Sequence, residues 1–426
     1  MFSRSKIALA LLLALLLNIS ALRVHAAPLT IDDALRLAQE RSRQLPAQEA
    51  AAAASRELAV AAGQRPDPTL KVGLNNLPVD GPDRFSVSRD FMTMRSIGVM
   101  QEFPREGKRK ARTARFEREA EAADAGRDLV LANLQRDTAV AWLERHFQER
   151  VRDVLVLQRD EARLQIDAAD AAYRGGKGSQ ADVFAARSGV AQIEDRLARA
   201  ERQIATATTQ LARWVGRAAA EALAAPPALD AVPLRAEQLD AQLAHHPQVE
   251  VLVRQEAMAR ADAELAQANK KPDVSVELMF SQRGSAYANM VSVNLSVPLQ
   301  WDPKNRQDRE VSAKLARVDQ VRAEREEATR AHVAEALAML QEWRSDRERL
   351  TRFDASLLPL AAERTRAATA AYRGGSGPLT AVLEARRGEI DTRVERLLLE
   401  MDAARLWAQL NHLVPVDRNA PAAARP

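Results

Sequence analysis

The sequence predicts a mainly α fold with a small β part, and three observations carry the prediction. Long stretches rich in alanine, arginine, leucine, glutamate and glutamine lack both proline and glycine, as long helices and coiled coils require. The chain repeats itself in tandem. Each copy holds one Pro-bounded segment in which the hydrophobic period changes from about 3.6 to about 2, the mark of strands among helices. Aromatic residues are only 4% of the chain, so small side chains and close helix packing replace a bulky core.

Taken in order, the chain begins with Arg4 and Lys6 ahead of an apolar run from Ile7 to Leu17, followed by Val24-His25-Ala26. This is the layout of an export signal, so residues 1–26 are expected to be removed and the mature chain to start near Ala27. The run is too short to span a membrane, and no later stretch approaches the roughly 20 apolar residues a spanning helix needs. Without Arg4, Lys6 and Arg23 the net charge falls from +4 to +1, which gives no argument for nucleic acid. The absence of cysteine excludes disulfides, thiolate metal ligands and a lipid-bearing N-terminal cysteine.

The repeat divides the rest. Ala171-Ala172-Tyr173-Arg174-Gly175-Gly176-Lys177-Gly178 returns 199 residues later as Ala370-Ala371-Tyr372-Arg373-Gly374-Gly375-Ser376-Gly377. Val183…Ala186-Arg187 likewise returns as Val382…Ala385-Arg386, and Pro66-Asp67 returns as Pro272-Asp273 at an offset of 206. We expect a first structural repeat over 27–225, a second over 226–415, a division near Ala225-Pro226-Pro227, and a disordered tail over 416–426.

Each copy has the same element order. A helix (Ile31 to Gly63, then Arg235 to Asn269) leads to a strand pair, about 68–104 and about 273–299. Val274, Val276, Leu278 and Phe280 alternate with polar residues or Met279, and Val291, Val293, Leu295 and Val297 alternate with Ser292, Asn294 and Ser296. In the first copy Leu70, Val72 and Leu74 are expected to pair with Ile97, Val99 and Phe103.

A helical hairpin follows the strands, 105–215 in the first copy and 304–414 in the second. Its ascending arm is interrupted only by Gly126 in the first copy and Pro359 in the second, and roughly 68 residues make a rod of about 100 Å. Val140, Phe147 and Val154 with Leu143, Leu157 and Leu164 recur every 3.5 residues or so, as do Trp343, Leu350 and Leu357 with Met339, Phe353 and Leu360, so each rod should present a narrow seam. The returning arms run from Asp182 to Trp214 and from Leu379 to Leu413.

Strands of this length, apolar on one face and polar on the other, match those of outer-membrane barrels. Four cannot close a barrel, and an open edge in lipid leaves unpaired amides, so a membrane-embedded chain must be an oligomer.

The tandem halves, the strand pair in each, the long hairpins and the two Tyr-Arg-Gly-Gly-x-Gly turns, each leading to a Val-Phe/Leu-x-Ala-Arg segment, resemble the TolC family of outer-membrane efflux proteins over nearly the whole mature length. The resemblance implies a homotrimer. Four strands per chain would form one twelve-stranded barrel in outer-membrane lipid, and the helices one α-barrel across the periplasm. It further implies that the tips, Tyr173, Arg174, Gly175, Gly176 and Gly178 with Tyr372, Arg373, Gly374, Gly375 and Gly377, meet a periplasmic adaptor (membrane fusion) protein. That adaptor would link the channel to an inner-membrane pump of the resistance-nodulation-division type.

The acidic constriction of family members aligns with Asp182 and Glu384, while Ala381 replaces a further acid and weakens the expected cation filter. Met94-Arg95-Ser96-Ile97-Gly98-Val99-Met100-Gln101-Glu102-Phe103-Pro104 followed by Gly107-Lys108-Arg109 is similar to the heavy-metal cation branch, the cobalt-zinc-cadmium or copper-silver type. A channel for drugs or other organic solutes is the alternative within the family. A periplasmic adaptor or a coiled-coil scaffold is the alternative outside it, although neither explains two tandem hairpins with recurring strand pairs.

Other features read as structural. Lys177 becomes Ser376 in the second copy, so the tips are not phosphate loops. Met92, Met94 and Met100 are expected in a loop or facing lipid rather than as soft-metal ligands. The adjacent pair His245-His246 and the isolated His146, His332 and His412 show no metal-ligand spacing. Lys108-Arg109-Lys110 with Arg112 and Arg115 is expected at the periplasmic rim, reaching toward headgroups. No GxSxG, HExxH or nucleophilic cysteine occurs, and neither enzyme activity, metal site nor cofactor is expected.

Overall fold

The computed structural model describes residues 27–243 and 246–415; the expected signal segment, the 416–426 tail and His245 lie outside the described residues. Contacts divide the chain into two compact units, and each draws on both sequence copies. One unit combines the chain up to Arg41 with Leu134–Val232 and Glu342–Gln409, and the other combines Ser42–Asn133, Pro233–Gln341 and the chain from Leu410.

The second unit contains the sheet. Strands β1 (Thr69–Asn75), β2 (Met94–Phe103), β3 (Val274–Gln282) and β4 (Met290–Ser296) form one antiparallel sheet in the order β1-β2-β3-β4. The register aligns Val72, Ile97, Phe280 and Val291 in one row and Leu70, Val99, Leu278 and Val293 in the next. All eight are at least 44% exposed, so this face is continuous uncovered hydrocarbon. Alternation sends Lys71, Ser96, Glu277 and Asn294 to the other face. There Lys71 Nζ lies 2.8 Å from Glu277 Oε2, and Asn75 Nδ2 donates to Ser96 Oγ at 2.9 Å. Met94 and Met100 also alternate onto this polar face, against the expectation that they sit in a loop or face lipid, whereas Met92 lies in the loop before β2.

The expected single helix from Ile31 to Gly63 is two, α1 (Ile31–Arg41) and α2 (Gln44–Gly63). The Ser42 hydroxyl accepts from Leu45 N at 3.4 Å, and Pro46, with no N–H to return, sits in the first turn of α2. The second copy breaks in the same way: α5 (Leu239–Leu243) is short, and the main helix, α6 (Pro247–Asn269), starts on a proline with His246 as its N-cap.

The ascending arm of the first copy is one helix of 69 residues, α3 (Glu106–Arg174). Gly126 does not interrupt it; a Cβ there would meet Gln48 Oε1 at 3.1 Å, so the glycine lets α2 approach α3. The basic run at its start turns mainly inward rather than toward headgroups. Lys108 pairs with Asp273 at 2.7 Å, Arg109 Nη1 donates to Gly63 O at 3.0 Å, and Arg115 Nε reaches Asp262 at 3.0 Å. Of these residues Lys110 is the one left well exposed.

In the second copy the ascending arm is α7 (Gln307–Arg352), a π-helical turn (Phe353–Leu357) and α8 (Leu358–Arg373). The widened turn directly precedes Pro359, whose ring would otherwise press on the carbonyl of Ala355. Arg396, on the returning helix α9 (Leu379–Asn411), spans both oxygens of Asp354 within this turn, at 2.6 and 3.1 Å.

In the first unit, Val151 and Leu155 of α3 pack with Ile193, Leu197 and Ala200 of α4 (Gln180–Val215) and with Ile390, Val394 and Leu397 of α9. The expected seam holds in part: Leu143, Phe147, Trp343, Leu350 and Phe353 are buried, while Leu157, Leu164, Leu357 and Leu360 stand exposed. Burial there follows Val151 and Leu155, four residues apart, because a helix packed against two neighbours covers a broader stripe than a heptad seam. Elsewhere in the unit the fully buried Trp142 donates from Nε1 to Leu29 O at 3.1 Å, pinning the strand-like Leu29 beside Leu223.

Candidate functional site

The two Tyr-Arg-Gly-Gly-x-Gly turns are copies of one backbone device. At the end of α3, Gly176 N donates to Tyr173 O (3.1 Å) and Lys177 N to Ala172 O (2.9 Å). At the end of α8, Gly375 N donates to Tyr372 O (3.1 Å) and Ser376 N to Ala371 O (2.9 Å). These paired bonds form the Schellman motif, which satisfies the last carbonyls of a helix. It requires a left-handed residue, supplied by Gly176 at φ 69° and Gly375 at φ 71°. The third glycine permits a close approach instead. A Cβ at Gly178 would lie 3.2 Å from Ala172 Cβ, so the chain leaves the turn pressed against the helix it has just left.

The structure brings both turns together in the first unit, around a cavity of about 420 Å³ lined by Gly176, Lys177, Ser179 and Asp182 from one and by Tyr372, Gly377 and Pro378 from the other. Tyr173 is exposed, while Tyr372 packs against a small core of Ala169, Val183, Ala186, Leu379 and Val382. The Val and Ala of each Val-x-x-Ala-Arg segment are therefore core positions. The arginines pair on the helix surface, Arg187 with Asp170 (3.5 Å) and Arg386 with Glu161 (3.1 Å) and Glu389 (3.5 Å).

Beyond the turns the copies differ. Ser179 and Asp182 form a capping box on α4: Asp182 N donates to Ser179 Oγ (3.2 Å), and Asp182 Oδ2 accepts from Ser179 N (2.9 Å) and Ser179 Oγ (2.7 Å). These hydrogen bonds, led by that from the Ser179 backbone, hold the Asp182 carboxyl below the ordinary carboxylate range. In the second copy Pro378 takes the place of Ser179 and Ala381 that of Asp182, so no such box exists. Glu384 is exposed in a different recess, among Gln158, Ala185, Thr380 and Arg387. Asp182 and Glu384 thus line different recesses.

The capping box is legible in Ser179-Gln180-Ala181-Asp182, the S-x-x-D pattern that opens helices. Less visible in sequence is the link between returning arms, Arg196 to Asp391 at 2.6 Å, because its partners lie nearly two hundred residues apart. Among the described residues no group of three or more histidines and carboxylates could hold a metal ion, and no helix is long and apolar enough to cross a membrane.

Residues 34–217 match the family model described as outer membrane efflux protein. The fold is similar to that of the outer membrane protein VceC from Vibrio cholerae, with a TM-score of 0.74 and 17% identity over 90% of this chain and 96% of that one. It is similar also to the CmeC outer membrane channel of Campylobacter jejuni (0.74; 12% identity; 90% and 85% covered). A third likeness is to the MtrE outer membrane channel of Neisseria gonorrhoeae in its open state (0.74; 15% identity; 90% and 88% covered). At these identities the likeness shows the fold alone. No curated protein matches the sequence. Residues 34–217 are thus similar to the outer membrane efflux family, and the chain as a whole has the fold of TolC-like outer-membrane channels.

Proposed function

We propose that the chain is one protomer of a homotrimeric conduit that exports solutes in a tripartite efflux system. The observation that carries this is the sheet: among the described residues its apolar face is uncovered and its outer strands, β1 and β4, each have one unpaired edge. Lipid satisfies the face, but only strands from other copies satisfy the edges. Three chains supply the twelve strands of one barrel, the hairpins line the periplasmic passage, and the Gly-rich tips dock on the adaptor of a resistance-nodulation-division pump. Heavy-metal cations are the proposed cargo, supported by the resemblance of the Met94 to Arg109 segment; drugs or other organic solutes are the alternative.

Light scattering on protein extracted in mild detergent from outer membranes tests the assembly, and a detergent-corrected mass of three chains is expected. A monomer released in soluble form from the periplasm would overturn it. Cargo is read separately: deleting the gene should lower tolerance to zinc, cobalt, cadmium or copper and leave drug tolerance intact, and the reverse pattern selects organic solutes. Asp182 and Glu384 are proposed constriction residues, so Glu384→Ala should reduce cation preference in bilayer conductance.

A further inference from the structure

The apolar alternation of β4 does not stop where its ladder stops. Val291, Val293 and Leu295 are 67 to 69% exposed, and after the strand ends at Ser296 the same alternation continues through Val297 (43%) and Leu299 (67%) to Trp301 (87%). The first copy has no counterpart. The second strand of each copy is followed by an apolar-Pro step, Phe103-Pro104 and Val297-Pro298, but only residues 104–105 separate β2 from α3, whereas residues 297–306 separate β4 from α7. The added segment carries Leu299 and Trp301.

It also has a defined end. Asp302 accepts from Asn305 N (3.2 Å) and from Asn305 Nδ2 (2.9 Å), and Asp308 N donates to Pro303 O (2.8 Å), so the chain turns immediately after Trp301 and enters α7. Lys304, Arg306 and Arg309 follow, all exposed, and none forms an ion pair among the described residues. Leaving so large an indole in water is unfavourable. An apolar stripe that runs off a lipid-facing strand, ends in tryptophan and is followed at once by unpaired cations has the chemistry of the boundary between hydrocarbon and phosphate.

We propose that Leu299 and Trp301 form an interfacial anchor that sits at the headgroup level of a phospholipid bilayer and sets the depth of the sheet; this rests on the reading of the strands as membrane-embedded. Trp301 is the one tryptophan in the second unit, since Trp142, Trp214, Trp343 and Trp407 belong to the first. Its emission is therefore isolated by subtracting the spectrum of Trp301→Phe. The test is quenching of the full-length protein in phosphatidylcholine vesicles whose bromines lie either near the headgroup or near the chain ends, with Val293→Trp in the Trp301→Phe background as the mid-sheet reference.

The expected result is that Trp301 loses most emission to shallow bromines and the residue 293 indole to deep ones. Trp301 quenched mainly by deep bromines would make residues 297–301 part of the spanning strand and overturn the anchor. Trp301 untouched while the residue 293 indole is quenched would mean that protein covers it, again overturning the anchor but leaving the barrel. Neither indole quenched would overturn both.

Discussion

Lys108 Nζ lies 2.7 Å from Asp273 Oδ2, with the two side chains only 8% and 14% exposed, and this pair ties the start of α3 to the residue before β3. Asp273 Oδ1 has no hydrogen-bond partner among the described residues, so the carboxylate depends on this one strong contact. Lys108→Met is expected to cost about 3 kcal/mol, because removing one partner of a buried ion pair strands the other charge. Lys108→Met with Asp273→Leu should recover most of the loss. Thermal unfolding of both proteins in detergent checks this, and an unaffected single mutant would show that the pair contributes nothing.

The glycines of one tip are not interchangeable. Gly176 and Gly375 hold positive φ, while Gly175 does not, and a Cβ at Gly175 meets Ala171 O only at an ordinary 3.4 Å. Gly176→Ala or Gly375→Ala should cost about 1 kcal/mol of local stability through left-handed strain. Gly175→Ala should be close to neutral. Hydrogen exchange of the tip amides reads the difference directly. In cells, Gly375→Leu is expected to abolish efflux while the assembly survives, and normal resistance would remove the tips from the proposed docking surface.

Asp182 makes the first tip acid-sensitive. Its folded carboxyl is held below the ordinary value of 3.8, so its stabilising effect is complete above that value and is lost as pH falls through the folded one. Protection of the Ser179 and Asp182 amides should therefore decline in strong acid, and Asp182→Ala should flatten that dependence. The second tip, with Pro378 and Ala381, provides an internal control that should show no matching change.

Much of this fold is legible in sequence because its signals are local. Val291, Val293 and Leu295 alternate over a short stretch, and Gly176 and Gly375 sit in turns that recur almost residue for residue, so strands, hairpins and tips all follow from neighbours along the chain. The break before α2 is hard to read although Pro46 stands at the new helix start, because the run Ala50–Ala54 outweighs a single first-turn proline, and the start of α6 at Pro247 is equally muted because proline is tolerated in a helix's first turn. Pro359 reads as a breaker, but that the chain answers it with a π turn braced by Arg396 depends on a helix that arrives only later in the chain. The inward turn of Lys108 is equally hidden, since its partner Asp273 is 165 residues away. At the site, the turns are visible in the residues themselves, whereas the division of Asp182 and Glu384 between two recesses comes from how α3, α4 and α9 pack.

The junction between the tandem copies is a ladder, not a hinge. β2, from the first copy, pairs with β3, from the second, from Arg95↔Gln282 to Phe103↔Val274. Either half expressed alone would expose the strand edge that now lies at the sheet's centre. Two halves made as separate chains are therefore expected to find one another through that ladder, and co-purification of a tagged first half with an untagged second half would read out the union.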